Sequence, residues 1–255
     1  MRRPAMWEMK ATRDAFGEAL VELGRLNGRV VVLSADLEDS TRAEYFKKEF
    51  PDRFFNLGIS EQDMLGASVG LSLDGFIPFA CSFAVFITDR TYGVLRVSIC
   101  YNKANVKLIG THAGLTVGED GATAQSLEDI AIMRALPNMV VVTPVDAVET
   151  RKATFRIAEV SGPVYMRLGR AKYPVITKES DAFELGKANM MMPITTTGAT
   201  IARIHRTLSE THPRSLATSI STITKAAIHV TISNSSHRPR VKTVSPLPMP
   251  GGRNG

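Results

Sequence analysis

The chain has 255 residues, 44% of them hydrophobic, with 31 Lys+Arg against 25 Asp+Glu and a formal net charge of +6. That length allows one large domain, or an ordinary domain with an appendage, and the apolar content excludes wholesale disorder and collagen-like repeats. The charge is unevenly placed: residues 1–187 carry 23 basic and 24 acidic side chains, whereas 188–255 carry eight basic residues and a single acid, Glu210, so the excess marks a tail and not an evenly basic surface.

Ala11–Leu26 is predicted to be an amphipathic helix, with Phe16, Ala19, Leu20 and Leu23 on one face. Val30–Ser34 then has the apolar, β-branched pattern of a buried strand. Similar runs follow at Phe76–Phe83, Val106–Gly110, Met139–Thr143 and Val164–Leu168, with a weaker one at Arg53–Leu57. Helical stretches separate them at Arg42–Phe50, Glu61–Leu73, Thr88–Asn102, Leu127–Leu136 and Asp146–Val160. This alternation predicts an α/β domain: a mostly parallel sheet of about six strands with helices on both faces. Ligands meet such sheets at loops following the carboxyl ends of the strands.

From Ala188 the composition changes. The last 68 residues hold 19 Ser or Thr, six of the 13 prolines and four of the five histidines. They read as a basic, poorly ordered tail whose histidines are incidental, and no aromatic interleaves its charges as nucleic-acid binding would require. Cys81 and Cys100 both lie in apolar runs and are expected to be buried free thiols in a reducing compartment. No Cys/His cluster suggests a zinc site. Met1–Lys10 lacks the apolar core of a signal peptide, and no apolar run approaches the ~20 residues of a membrane span. The expected location is the cytoplasm, without membrane contact.

Four loops could carry chemistry. In Asn56-Leu57-Gly58-Ile59-Ser60-Glu61-Gln62 a carboxylate stands where a strand hands over to a helix, although an acid in a first helical turn is also favoured by the helix dipole. Phe83 and Phe86, three apart after a strand, suit either a flat pocket or the core. His112–Thr123, with three glycines, two acids and a histidine, is too long and polar for a plain connector. Met166-Arg167-Leu168-Gly169-Arg170 ends the last strand with two guanidiniums, suited to an anion or simply to solvent. No GxxxxGK[ST], GxGxxG or GxSxG motif is present.

Taken in this order, residues 11–187 resemble the pyrimidine-binding domain of transketolase, in particular the carboxy-terminal half of the split, two-chain type. The matching stretches are Ala11–Asp14, Ser34–Leu37, Arg53–Gln62, Ser82–Phe86, Thr111–Thr123, Leu127–Ala131 and Gly162–Arg170. The resemblance implies thiamine diphosphate as cofactor, held between domains of two chains. Glu61 is implied to hydrogen-bond N1′ of the aminopyrimidine, which readies its 4′-nitrogen to take the thiazolium C2 proton. Phe83 and Phe86 are implied to pack against that ring and Asp36 to contact the cofactor. Arg13, Ser40 and Arg167 match positions that hold the substrate phosphate; His112 and Asp120 match groups that bond its hydroxyls. The implied reaction transfers a two-carbon ketol unit from a ketose phosphate to an aldose phosphate.

The sequence departs from the family in three places. The Gly-Asp-Gly motif that carries Mg²⁺ and diphosphate is missing, its nearest string being Leu73-Asp74-Gly75. A partner chain, the amino-terminal transketolase section, must then supply the metal ligands, which implies a heterotetramer. Gly121-Ala122-Thr123 is followed by Ala124 where the family usually has a histidine, so turnover is expected to be slowed by about 10²–10⁴. A catalytically dead interaction subunit is therefore an alternative. So are 1-deoxyxylulose-5-phosphate synthase and a 2-oxoacid dehydrogenase beta subunit, which share this domain. Finally, the tail at 188–255 replaces the family's third domain. An abrupt change with no linker suggests, as a hypothesis, a shifted reading frame: one of the other two frames across codons 188–255 is then expected to encode α/β sequence, and the idea fails if neither does.

Overall fold

The computed structural model describes residues 7–187. The tail expected at 188–255, and the domain boundary drawn for it, lie outside the described residues. In chain order the elements are β1 (Met9–Ala11), α1 (Thr12–Leu26), β2 (Val30–Ser34), α2 (Glu38–Thr41), α3 (Glu44–Glu49), β3 (Phe54–Asn56), α4 (Glu61–Leu73), β4 (Ile77–Phe83), α5 (Ala84–Asp89), α6 (Tyr92–Val94), β5 (Lys107–Thr111), α7 (Asp129–Ala135), β6 (Val140–Val142), α8 (Ala147–Glu159), β7 (Val164–Arg167) and β8 (Lys172–Pro174). Six strands form one sheet in the order β3-β2-β4-β5-β7-β6, and every neighbouring pair is parallel. The α/β class read from the alternating pattern is the observed one.

The sheet is buried on both faces because alternate residues of each strand serve different helices. Val30, Val32, Phe79, Cys81, Ile109, Val164 and Met166 pack with Phe16 and Leu20 of α1, Phe46 of α3 and Ile157 of α8. Their neighbours Val31, Leu33, Ala80, Leu108, Val141 and Tyr165 pack with Met64 and Leu65 of α4, Ile87 of α5 and Met133 of α7. Burial pushes the Cys100 thiol up to about 11, and that of Cys81 higher still, so both are inert packing groups.

Two features depart from the periodicity. The helix expected over 88–102 is broken: α5 ends at Asp89, and α6 opens into a wider π-type turn at Leu95–Tyr101. Thr88 and Thr91 hydroxyls donate to the carbonyls four residues earlier, a habit that bends helices. The second is an antiparallel ribbon of β1 and β8 with Lys10 opposite Tyr173, which ties together the two ends of the described chain.

Two buried charges secure the connections. Lys107, fully buried, donates to Asn105 Oδ1 at 2.7 Å and to the carbonyls of Val160 at 2.7 Å and Gly162 at 2.8 Å. Burial pushes its pKa down to about 7. Asp146 caps α8 by accepting from Glu149 N and also receives the Ile176 and Thr177 amides. Burial alone would raise this carboxyl, yet those bonds hold it below its usual value.

Gly110 on β5 faces Tyr165 so closely that an added Cβ would lie 2.5 Å from the phenol oxygen. Gly110→Ala is therefore expected to lower the urea-unfolding free energy by about 1–3 kcal/mol through overpacking. Tyr165→Leu in the same chain should recover part of that loss; full additivity of the two substitutions would show that the contact is not the cause.

Candidate functional site

The strand order reverses at β2, whose two parallel neighbours β3 and β4 follow it in sequence on opposite sides. The connection leaving β2 toward β3 and the one leaving β4 toward β5 run in opposite directions, which opens a crevice between the carboxyl ends of β2 and β4. Asp36 follows β2 with a left-handed backbone (φ 60°) and stands exposed at this rim. Its N–H donates to Asn56 Oδ1 at 3.0 Å, and the same oxygen accepts the Gly58 amide at 3.0 Å. Asn56 Nδ2 returns a bond to Asp36 Oδ1 at 3.2 Å. This clamp fixes the turn that delivers Glu61 as the first residue of α4, where the helix dipole favours an anion. Glu61 is 4% exposed, and its Oε2 lies 3.5 Å from Arg90 Nη1.

An aromatic column stands beside it. Phe83, the last residue of β4, stacks on Phe86 of α5 with ring centroids 5.6 Å apart and planes 13° apart. The His112 imidazole lies against Phe83 at 3.8 Å and 20°. Arg90 closes the other end, its guanidinium carbon 4.6 Å from the Phe86 centroid. One contact chain thus runs from His112 through Phe83 and Phe86 to Arg90 and Glu61.

His112 has a left-handed backbone (φ 57°) immediately after β5. Arg13 Nη1 lies 3.0 Å from its Nε2, and Thr111 Oγ1 lies 3.0 Å from its Nδ1. A guanidinium can only donate, so Nε2 accepts and the proton of the neutral ring sits on Nδ1, facing Thr111. Burial, reinforced by Arg13, Arg170 and Arg42, holds the His112 pKa down at about 4. The same Arg13 nitrogen donates to the Ser40 carbonyl at 2.9 Å. Ser40 is thereby joined to the site through its backbone. Arg13 Nε is buried without a protein partner, and burial, with Arg42 nearby, lowers the guanidinium's pKa.

Further along the carboxyl edge, Arg167 Nε donates to Asp129 Oδ2 at 2.8 Å, and the buried Tyr165 hydroxyl donates to the same oxygen at 2.8 Å. Asp129 is fully buried at the start of α7 and aims the Arg167 fork. The loop passes close by at Gly114 (φ 78°), where a Cβ would stand 3.2 Å from Arg167 Nη2. Arg170 donates to the Val117 carbonyl and to Glu119 Oε1, which fastens the 112–123 loop to the end of β7. Asp120 is exposed on that loop, and Ala124 is buried at its end. Of the residues selected from sequence, Glu61, Phe83, Phe86, His112, Arg13 and Ser40 belong to one connected cluster. Arg167 lies beside its loop, and Asp36 and Asp120 lie on its rim.

The sequence reading missed Arg90 and Asp129. Asp129 lies within the matching stretch Leu127–Ala131 but was given no role, because nothing local marks it as the partner of an arginine 38 positions away. A groove of about 410 Å³ opens at the opposite, amino edge, lined by Arg29, Ile77, Asn105, Phe155 and Val160, without such a convergence of aromatics and charges.

A parallel α/β sheet with a buried carboxylate and an aromatic column at its switch point defines the class: an α/β domain whose candidate ligand site lies at the carboxyl edge of its strands. The chain belongs to the transketolase family through that domain, since the family profile described as transketolase, pyrimidine binding domain, matches residues 8–175. A protein of Methanocaldococcus jannaschii, provisionally described as a transketolase C-terminal section, is 48% identical over 185 residues, or 72% of this chain and 58% of that protein. An apulose-4-phosphate transketolase subunit of Phocaeicola vulgatus is 39% identical over 185 residues, or 72% of this chain and 59% of that protein. A solved split-gene transketolase, described as an inactive beta4 tetramer, is similar with a TM-score of 0.65 and 50% identity, covering 71% of this chain and 59% of that one. The chain thus spans less than two thirds of the length of these relatives.

The depressed His112 pKa has a direct consequence. The unfolded imidazole takes up a proton near 6.5, whereas the folded one resists until about 4. Stability due to neutral His112 is complete above about pH 6.5 and is lost as pH falls through about 4. The unfolding free energy is expected to fall across this window by about 1–3 kcal/mol. His112→Gln, which carries no titrating proton, should flatten that fall, and an unchanged pH profile in the variant would assign the slope to other groups.

Proposed function

We propose that this chain is the pyrimidine-binding subunit of a transketolase-type enzyme that moves a two-carbon ketol unit from a ketose phosphate to an aldose phosphate. The observation that carries the reading is the buried Glu61 carboxylate beside the Phe83–Phe86 pair at the switch point. A buried carboxyl group that can share a proton with a ring nitrogen and flat aromatic faces suit an aminopyrimidine, and these residues therefore fit thiamine diphosphate. When bound, that cofactor supplies an acidic carbon and an electron sink. Glu61 then holds the proton at ring N1′, Phe83 and Phe86 give the ring its flat walls, and Asp36 stands at the rim of the slot. Arg13, Ser40 and Arg167 hold the sugar phosphate, with the partnerless Arg13 Nε as a donor to spare. His112, neutral at working pH, and Asp120 orient the sugar hydroxyls.

The reading requires a second chain. Among the described residues no group of three His, Cys, Asp or Glu side chains could hold a metal ion. Because the Gly-Asp-Gly motif of the resembled family is replaced by Leu73-Asp74-Gly75, the reading assigns Mg²⁺ and the diphosphate to an amino-terminal transketolase section in a heterotetramer. Ile59, Leu73, Val97 and Tyr101 are all more than 60% exposed on α4 and the neighbouring loop and π-type turn, which supports burial against such a partner. The similar split-gene protein described as an inactive beta4 tetramer accords with a subunit that lacks activity by itself. Two buried free thiols suit the reducing cytoplasm, and among the described residues no helix is long and apolar enough to cross a membrane.

Ala124 supports a second reading, an impaired or dead interaction subunit. Its buried methyl neither relays a proton nor bonds a hydroxyl. The two readings separate in one assay: the chain is mixed with an amino-terminal transketolase section, thiamine diphosphate and Mg²⁺, and ketol transfer from xylulose 5-phosphate is followed. Ala124→His is expected to raise turnover by about 10²–10⁴, the range of a restored acid–base group, and Glu61→Ala to abolish it. Activity in neither the native chain nor Ala124→His favours the dead subunit, and turnover that survives Glu61→Ala removes the role given to that carboxylate.

A further inference from the structure

Arg90 lies outside every motif that points to this site, yet it touches both groups that an aromatic ring would need. Its Nη1 is 3.5 Å from Glu61 Oε2, and its guanidinium carbon is 4.6 Å from the Phe86 centroid. Its backbone carbonyl accepts from Gln62 Nε2 at 2.6 Å, so the start of α4 and the end of α5 are fastened to each other at this point. The guanidinium itself is a flat cation with N–H donors, and it meets the carboxylate and the ring face as a protonated aminopyrimidine would.

Exposure decides which partner can yield. Glu61 is 4% exposed, whereas the Arg90 side chain is 54% exposed. A carboxylate so covered cannot receive a hydrogen bond from an entering ring until a covering group moves. Arg90 has the least to lose, because its ion pair is long and its stacking is half in solvent. Neither Phe83 nor Glu61 is free to move in this way, since both are packed at element ends.

We propose that Arg90 is a residue of the ring-binding slot that occupies it in the free chain, covering Glu61 and Phe86 and swinging out when an aminopyrimidine enters. The inference rests on the ring-site reading of Glu61 given above. It makes Arg90 a determinant of affinity for flat cationic heterocycles at this site. The backbone bond from Gln62 stays in place during the exchange, because only the side chain leaves.

The test uses the full chain, with thiamine as the probe and ligand-observed NMR titration as the readout, compared for the native protein, Arg90→Ala, Glu61→Ala and the double variant. Removing the competing ion pair and stacking should tighten thiamine binding by about five-fold in Arg90→Ala. Glu61→Ala should weaken it in both backgrounds. Arg90→Lys keeps the charge without the flat fork and should fall between native and Arg90→Ala. Equal or weaker binding by Arg90→Ala, with Glu61 still required, overturns the role of Arg90 and leaves the ring site standing. Binding that ignores Glu61, or no binding by any of the chains even with the amino-terminal transketolase section present, overturns the ring-site reading and the Arg90 inference together. Circular dichroism melts of each variant confirm that the fold is retained, which the half-exposed position of Arg90 leads one to expect.

Discussion

β2 pairs in parallel with β3 on one flank and with β4 on the other, and the chain leaves β2 toward β3 but leaves β4 toward β5, in opposite directions along the sheet. The carboxyl ends of β2 and β4 are left open side by side, and nearly every group of interest hangs from that opening. Asp36 follows β2, Asn56 ends β3 and Phe83 ends β4; His112 follows β5, and Arg167 ends β7. The helices behind the sheet hold the strands in register by packing, so the loops can place charged and strained residues without bearing the stability of the core.

Charge at this edge is arranged by desolvation as much as by pairing. His112 is kept neutral because it is buried among arginines, which fixes its Nε2 as an acceptor for Arg13. Arg167 is compensated by the buried Asp129, which takes one donor of the fork and leaves the others uncommitted. Burial and the adjacent Asp129 raise the Tyr165 pKa well above its usual value, so Tyr165 remains a donor to that carboxylate. The result is a neutral imidazole, an aimed guanidinium and a partnerless Arg13 Nε along one edge, a pattern that favours an incoming anion over a cation.

Much of this was legible along the chain. Strands such as Val30–Ser34 show as short β-branched runs, and helices such as Glu61–Leu73 lie between them, because burial on both faces leaves little room for polar residues. Glu61, Phe83, Phe86 and His112 were visible because each follows or ends a strand, where such sheets carry their ligands. The β1–β8 ribbon was not, since three-residue strands with polar members have no period to read. Nor was the break in the helix after Asp89, where the threonine hydroxyls turn back on the backbone.

The sequence by itself determined the layered fold and which side chains stand at strand ends, because burial periodicity and strand-to-helix handover are local properties. Only the tertiary structure decided what those side chains meet: that His112 lies flat on Phe83, that Arg167 bonds Asp129, and that Arg90 lies 3.5 Å from Glu61. The physical reason is that these contacts join residues tens of positions apart through the strand order, and protonation and charge depend on that crowding and not on the order of residues along the chain.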